Sequence, residues 1–89
     1  MRNPIRGTQF EKDVKLAKKR GRDMSKLRAA ILLLLEGNPL PPRYRDHPLR
    51  GEWQHFRDLH IEPDWLLIYK IDGNNVHLVR SGTHSDLFE

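Results

Sequence analysis

Apolar residues recur at two periods along this chain, and the change from one to the other after Gly51 divides it into a helical part and a strand part. Phe10, Val14 and Ala17 recur at helical spacing. Thr8-Gln9-Phe10-Glu11 reads as a capping box, so a first helix is predicted from Thr8 to about Arg20, with Gly21 supplying the left-handed residue that ends it. A second helix is predicted from Asp23 to Glu36, with Met24, Leu27, Ile31, Leu34 and Leu35 on its inner face and Gly37 and Pro39 beyond it. From Gly37 to Arg50 there are four prolines and no period, which predicts a fourteen-residue loop, longer than connections usually are. The strand period then runs through Trp53–His60, Trp65–Ile71 and Val76–Ser81, separated by IEPD and DGNN, which predicts a three-strand antiparallel meander. Ile5 marks a short edge strand at the N-terminus, its length limited by Pro4 and Gly7. The fold class is therefore α+β: two N-terminal helices packed on a twisted antiparallel sheet of three to four strands, in one domain over residues 1–89.

Side chains alternate strictly along a strand, so the two turns set every cross-strand pair. With IEPD and DGNN as the turns, the rows are His60–Trp65–Gly82, Asp58–Leu67–Arg80, Phe56–Tyr69–Leu78 and Gln54–Ile71–Val76 on one face. Leu59, Leu66, Ile68 and Val79 fall on the other. This register gathers His60, Trp65, Asp58 and Arg80 at one end of one face, and His84 leaves the sheet at the same end. Asp64 lies in the turn, whose backbone Pro63 stiffens.

Composition narrows the functional classes. Eighty-nine residues suit one small core, and the absence of cysteine excludes disulfides and thiolate metal sites. The longest apolar run, Ala29–Leu35, is far short of the ~20 residues a membrane-spanning helix needs, and no export pattern precedes Thr8, so a cytoplasmic protein is expected. Sixteen Lys and Arg against twelve Asp and Glu give a formal charge of +4, which favours a polyanionic or acidic partner.

The candidate chemistry lies in the histidines. Cleavage of RNA through its own 2′-hydroxyl needs one group to remove that proton and another to protonate the leaving 5′-oxygen, and imidazoles near pKa ~6.5 do both. His47, His60 and His84 are the candidates, with Arg80 to meet the phosphate charge and Trp65 and Phe88 to stack on unpaired bases. His55 and His77, beside Lys70, read as solvated strand positions. The scheme needs no metal or other cofactor, because the nucleophile belongs to the substrate; the spacing of His47, His60, Asp64 and His84 matches no standard short metal motif.

Four stretches carry a family resemblance: FEKDVKLAKKRGRDMSKL, YRDHPLRGEW, FRDLHIEPDWLLIYK and SGTHSDLF. Together they resemble the RelE/ParE superfamily of bacterial type II toxins, and within it the YafQ-like mRNA interferases. The resemblance implies a toxin that cleaves mRNA in the ribosomal A site and is held inactive by a cognate antitoxin, with operator DNA reached only through that antitoxin. It also implies site positions at His47, His60, Asp64, Trp65, Arg80, His84 and Phe88. In that reading His84 is the proton donor, His47 or His60 supported by Asp64 is the base, and Arg80 holds the phosphate. Two rivals stand beside it: a gyrase-poisoning toxin of the same superfamily that cuts no RNA, and a plain RNA-binding module.

Overall fold

The computed structural model describes residues 1–89. Two helices, α1 (Thr8–Lys19) and α2 (Met24–Glu36), cover one face of a five-stranded sheet of β1 (Asn3–Arg6), β2 (His47–Pro48), β3 (Arg57–Glu62), β4 (Trp65–Asp72) and β5 (Asn75–Gly82), and a short α3 (His84–Phe88) closes the chain. Strand order is β1-β5-β4-β3-β2. The predicted meander is the centre of this sheet; the predicted edge strand is present as β1, but it pairs parallel to β5, so the sheet is mixed rather than purely antiparallel.

At α2 both ends form as the sequence dictates. Asp23 accepts the Ser25 N–H at the start of α2, and Gly37, at φ +75°, closes it in the left-handed conformation a Cβ disfavours. At α1 the expectation fails: Gly7, not Thr8, is the N-cap, and no side chain caps the helix. Glu11 pairs instead with Arg6 of β1. The capping box of this chain is at α3, where Thr83 and Asp86 satisfy each other's backbone N–H groups.

β4 is buried on both faces. Trp65, Leu67 and Tyr69 join Leu59 and the inner residues of α1 and α2 in the main core, whereas Leu66 and Ile68 pack with Leu87 of α3 in a smaller cluster on the opposite face. Two β-bulges move the register away from the predicted rows. The β3–β4 turn consists of Pro63 and Asp64 alone, closed by Glu62 opposite Trp65; Ile61 bulges, so His60 faces Leu66 instead of Trp65, and Asp58 faces Ile68 instead of Leu67. Between β4 and β5 the predicted Ile71–Val76 and Tyr69–Leu78 pairs form, but Val79 is then extra and Arg80 faces Ile68. The predicted first strand is also too long at its start: Gly51–Trp53 forms a turn of 3-10 helix and His55 takes φ +79° before β3 begins. His55 is therefore a turn residue, not a strand residue. The predicted loop is not wholly loop, since Pro42–Tyr44 makes a turn of 3-10 helix and β2 docks on β3. No helix is long and apolar enough to cross a membrane.

Candidate active site

On the sheet face that carries α3, three histidines from three elements stand in a row. β2 exists only as a two-residue bridge, but it sets His47 opposite Asp58 of β3. His60, two residues further along β3, projects to the same face. His84 is the first residue of α3. The His60 ring lies 6.0 Å from that of His47 and 5.8 Å from that of His84. Phe88, one turn after His84, stays 43% exposed with its ring 6.4 Å from the His84 ring and edge-on to Trp53.

Each end of the row is fixed by hydrogen bonds that leave the reactive nitrogen free. His47 Nδ1 lies 2.7 Å from the Arg45 carbonyl, an acceptor only, so that nitrogen carries the proton and donates it. Its Nε2 lies 3.1 Å from Asp58 Oδ1 without the alignment of a hydrogen bond. At the other end His84 Nδ1 is 2.6 Å from Asp64 Oδ1, and the same oxygen accepts the His84 backbone N–H at 2.9 Å. These two bonds hold the Asp64 carboxyl below its ordinary range. Asp64 thus serves His84, not His47 or His60 as the sequence suggested.

Asp58 is the residue sequence reasoning passed over as a site member. It is 3% exposed, and its Oδ1 has no hydrogen-bond partner. Burial pushes its carboxyl above the ordinary value, while His47, His60 and His84, in that order, pull it back down. Period-two patterning did place it on the face of His60; the missing signal was β2, because a two-residue strand has no period to read. The His60 Nδ1 beside it is buried and also unpartnered.

One predicted member, Trp65, stands apart from the row, and a second, Arg80, lies opposite Ile68 with part of its guanidinium paired elsewhere. Trp65 belongs to the helix-side core: it is 1% exposed, its indole N–H donates to Ser81 Oγ at 3.1 Å, and the Arg22 guanidinium lies over its ring at 5.2 Å. A base cannot stack on it. The bulge at Ile61 is the reason, since it turns Trp65 to the face opposite His60. Arg80 is committed to Asp13 of α1, with Nε 2.8 Å from Oδ2 and Nη2 3.3 Å from Oδ1. Asp13 also accepts the Ser81 N–H at 3.0 Å. No three histidine, aspartate or glutamate side chains are arranged to hold a metal ion.

A second network holds α3 in place. Arg20, at the end of α1, donates to both oxygens of Asp86 at 2.7 and 3.3 Å, and Asp86 Oδ2 accepts the Thr83 N–H at 2.9 Å. Gly82 leaves room for this, since a Cβ there would stand 2.9 Å from the Asp86 side chain. The bonds from Arg20, then from Thr83, hold the Asp86 carboxyl well below the usual range. A carboxyl so depressed contributes stability that is present above its unfolded value of about 3.9 and is lost as pH falls through its folded value. Asp86→Asn is expected to lower stability near neutral pH by about 1 kcal/mol, and the deficit should close in acid as the wild-type carboxyl protonates; denaturant melts across pH check both.

Comparison with known proteins agrees with this architecture. The family model for the bacterial toxin of type II toxin–antitoxin systems, YafQ, matches residues 2–89. The mRNA interferase toxin YafQ of Escherichia coli K12 is 52% identical over 81 residues, spanning 90% of this chain and 88% of its own. The crystal structure of YafQ from E. coli BL21(DE3) superposes with a TM-score of 0.95 at 47% identity, and YafQ in the E. coli DinJ–YafQ complex with 0.93 at 48%, each covering 100% of both chains. Matched over nearly its whole length in sequence and in structure, the chain belongs to the YafQ family of bacterial type II toxins.

Proposed function

We propose that this chain is an endoribonuclease of a toxin–antitoxin pair, cutting mRNA in the A site of the ribosome by attack of the substrate's 2′-hydroxyl on the adjacent phosphate. The observation that carries this reading is the row of three imidazoles with a carboxylate beside each end. The mRNA interferase name of the E. coli relative supports the substrate class, and the DinJ–YafQ complex supports a cognate antitoxin as partner.

His47 is the base. With Nδ1–H held by the Arg45 carbonyl, its Nε2 accepts the 2′-hydroxyl proton, and Asp58 stabilises the imidazolium that results. The 2′-oxygen then bonds to phosphorus and the bond to the 5′-oxygen breaks. His84, its Nδ1–H directed at Asp64, gives the Nε2 proton to that leaving oxygen. The products are a 2′,3′-cyclic phosphate and a 5′-hydroxyl end, and solvent resets the two imidazoles. His60, between them, faces the phosphate. Arg80 supplies Nη1, the nitrogen that Asp13 leaves free, to the negative charge that develops there. Phe88, exposed beside His84, offers the stacking surface that Trp65 does not.

Purified protein is expected to cut mRNA on programmed 70S ribosomes and to leave the same mRNA intact in their absence; equal cutting of free RNA would remove the ribosome from the scheme. Asp58→Asn gives a second test, because activity and stability should move in opposite directions. Cleavage is expected to fall by about tenfold or more as the charge beside His47 is lost. Stability should hold or rise, since a raised carboxyl contributes most below its unfolded value and that contribution is lost as pH rises through the folded value. Denaturant melts at neutral pH beside the cleavage rates check the pair.

A further inference from the structure

Beside the histidine row opens a cleft of about 660 Å³, within the range of small-molecule sites. One wall is α2 at Lys26 and Ala29, the other is the 3-10 turn Pro42–Tyr44 with Arg45, and the floor is the end of β3. Its inner surface is apolar at Ala29, Tyr44 and Ile61, and its rim is cationic. The one carboxylate, Glu62, is already met by Lys26 at 3.0 Å and Arg22 at 3.4 Å. Arg43 and Arg45 pair with no carboxylate; Arg43 lies over the Tyr44 ring at 4.7 Å.

Two features join this cleft to the reaction centre. His60 lines it and also forms the middle of the histidine row. Arg45 is held at φ +47°, a conformation that residues other than glycine, asparagine and aspartate seldom adopt. Held this way, Arg45 presents its carbonyl to His47 Nδ1 while its side chain borders the cleft. Whatever fills the cleft is therefore continuous with whatever lies on the row.

We propose that the cleft is a nucleotide subsite, taking the base and ribose of the mRNA residue next to the scissile phosphate, with Arg43 and Arg45 on the phosphates that flank it. This rests on the RNA-cleavage reading above. A guanidinium without a carboxylate partner is suited to phosphate, and the apolar lining at Ala29 and Ile61 accepts the body of a base. The cleft is then where the enzyme distinguishes one codon from another, because its walls contact the base while the histidine row contacts only the sugar and phosphate.

Ala29→Trp tests this: Ala29 is exposed on α2, so an indole there fills the cleft without entering the core and leaves His47 and His84, which do not line the cleft, in place. Arg45→Asn removes the guanidinium while keeping a residue that tolerates positive φ. On ribosomes programmed with a panel of codons, both variants are expected to cleave the favoured codons about tenfold less and to flatten the codon preference, with melting temperatures unchanged. Titration of the folded protein with a 2′-O-methyl trinucleotide should shift the backbone amide signals of Ala29, Ile61 and Glu62, and Ala29→Trp should abolish those shifts. An unchanged codon pattern in Ala29→Trp would overturn the proposal. So would trinucleotide shifts confined to α1, or cleft shifts produced by an acidic peptide and not by the trinucleotide, which would make the cleft a protein-docking groove. If wild-type protein cuts nothing, the cleavage reading fails while the titration still decides the cleft.

Discussion

His84→Ala is expected to lower mRNA cleavage by ~10²–10⁴-fold, the span attributable to one general acid, in a protein that remains folded. The side chain is 55% exposed and contributes no core packing, so stability should change by no more than about 0.5 kcal/mol. Its backbone N–H still reaches Asp64, and the Thr83–Asp86 box still starts α3. Single-turnover cleavage on programmed ribosomes, with a denaturant melt on the same preparation, separates chemistry from folding. Full activity in the folded variant would move the proton donor elsewhere in the row.

Trp65→Ala is expected to fail for a different reason. Replacing so large a buried side chain costs about 3–5 kcal/mol, against a whole-domain stability of roughly 5–15 kcal/mol. The Ser81 hydroxyl also loses a partner, although it keeps its bond to the Leu66 carbonyl at 2.8 Å. Trp65→Phe fills most of the same space and should cost only about 1–2 kcal/mol, with cleavage retained. Chemical denaturation of both variants reads this directly. A folded Trp65→Ala protein that binds ribosomes and cannot cut would return the indole to the substrate.

The contrast between these two residues shows what the sequence made legible. Helical and strand periods located α1, α2 and the three central strands, because each spans enough residues for a period to repeat. Glycines at 21 and 37 marked the helix ends. What period-two reasoning lost was the register beyond the turns, since Ile61 and Val79 each add one residue to one strand and nothing in their apolar side chains announces a bulge. The bulge at Ile61 sent Trp65 to the opposite face; the one at Val79 offsets it, so Arg80 stays in the row of Asp58 and Ile68, with its guanidinium paired to Asp13 of α1. His47 was legible as a candidate only from its chemistry; its partner Asp58 depended on β2, which is two residues long. Thr8 shows the converse, a capping pattern with the right spacing whose glutamate β1 claims through Arg6.

Asp64 teaches a related lesson. Its place in the β3–β4 turn was evident, yet its partner was not, because His84 reaches it only after β5 has crossed the sheet and Arg20 has fixed Asp86. Twenty residues separate Asp64 and His84 in the chain. Contacts of that range follow from topology rather than from local pattern.

The central claim, attack by the substrate's own 2′-hydroxyl under acid–base catalysis by the histidine row, is tested most directly by the ends left on the cut mRNA. Wild-type protein on programmed 70S ribosomes is expected to leave a 2′,3′-cyclic phosphate and a 5′-hydroxyl, and an mRNA with a 2′-deoxy residue at the scission site should remain whole. A 3′-hydroxyl with a 5′-phosphate, or cutting of the 2′-deoxy mRNA, would contradict the mechanism.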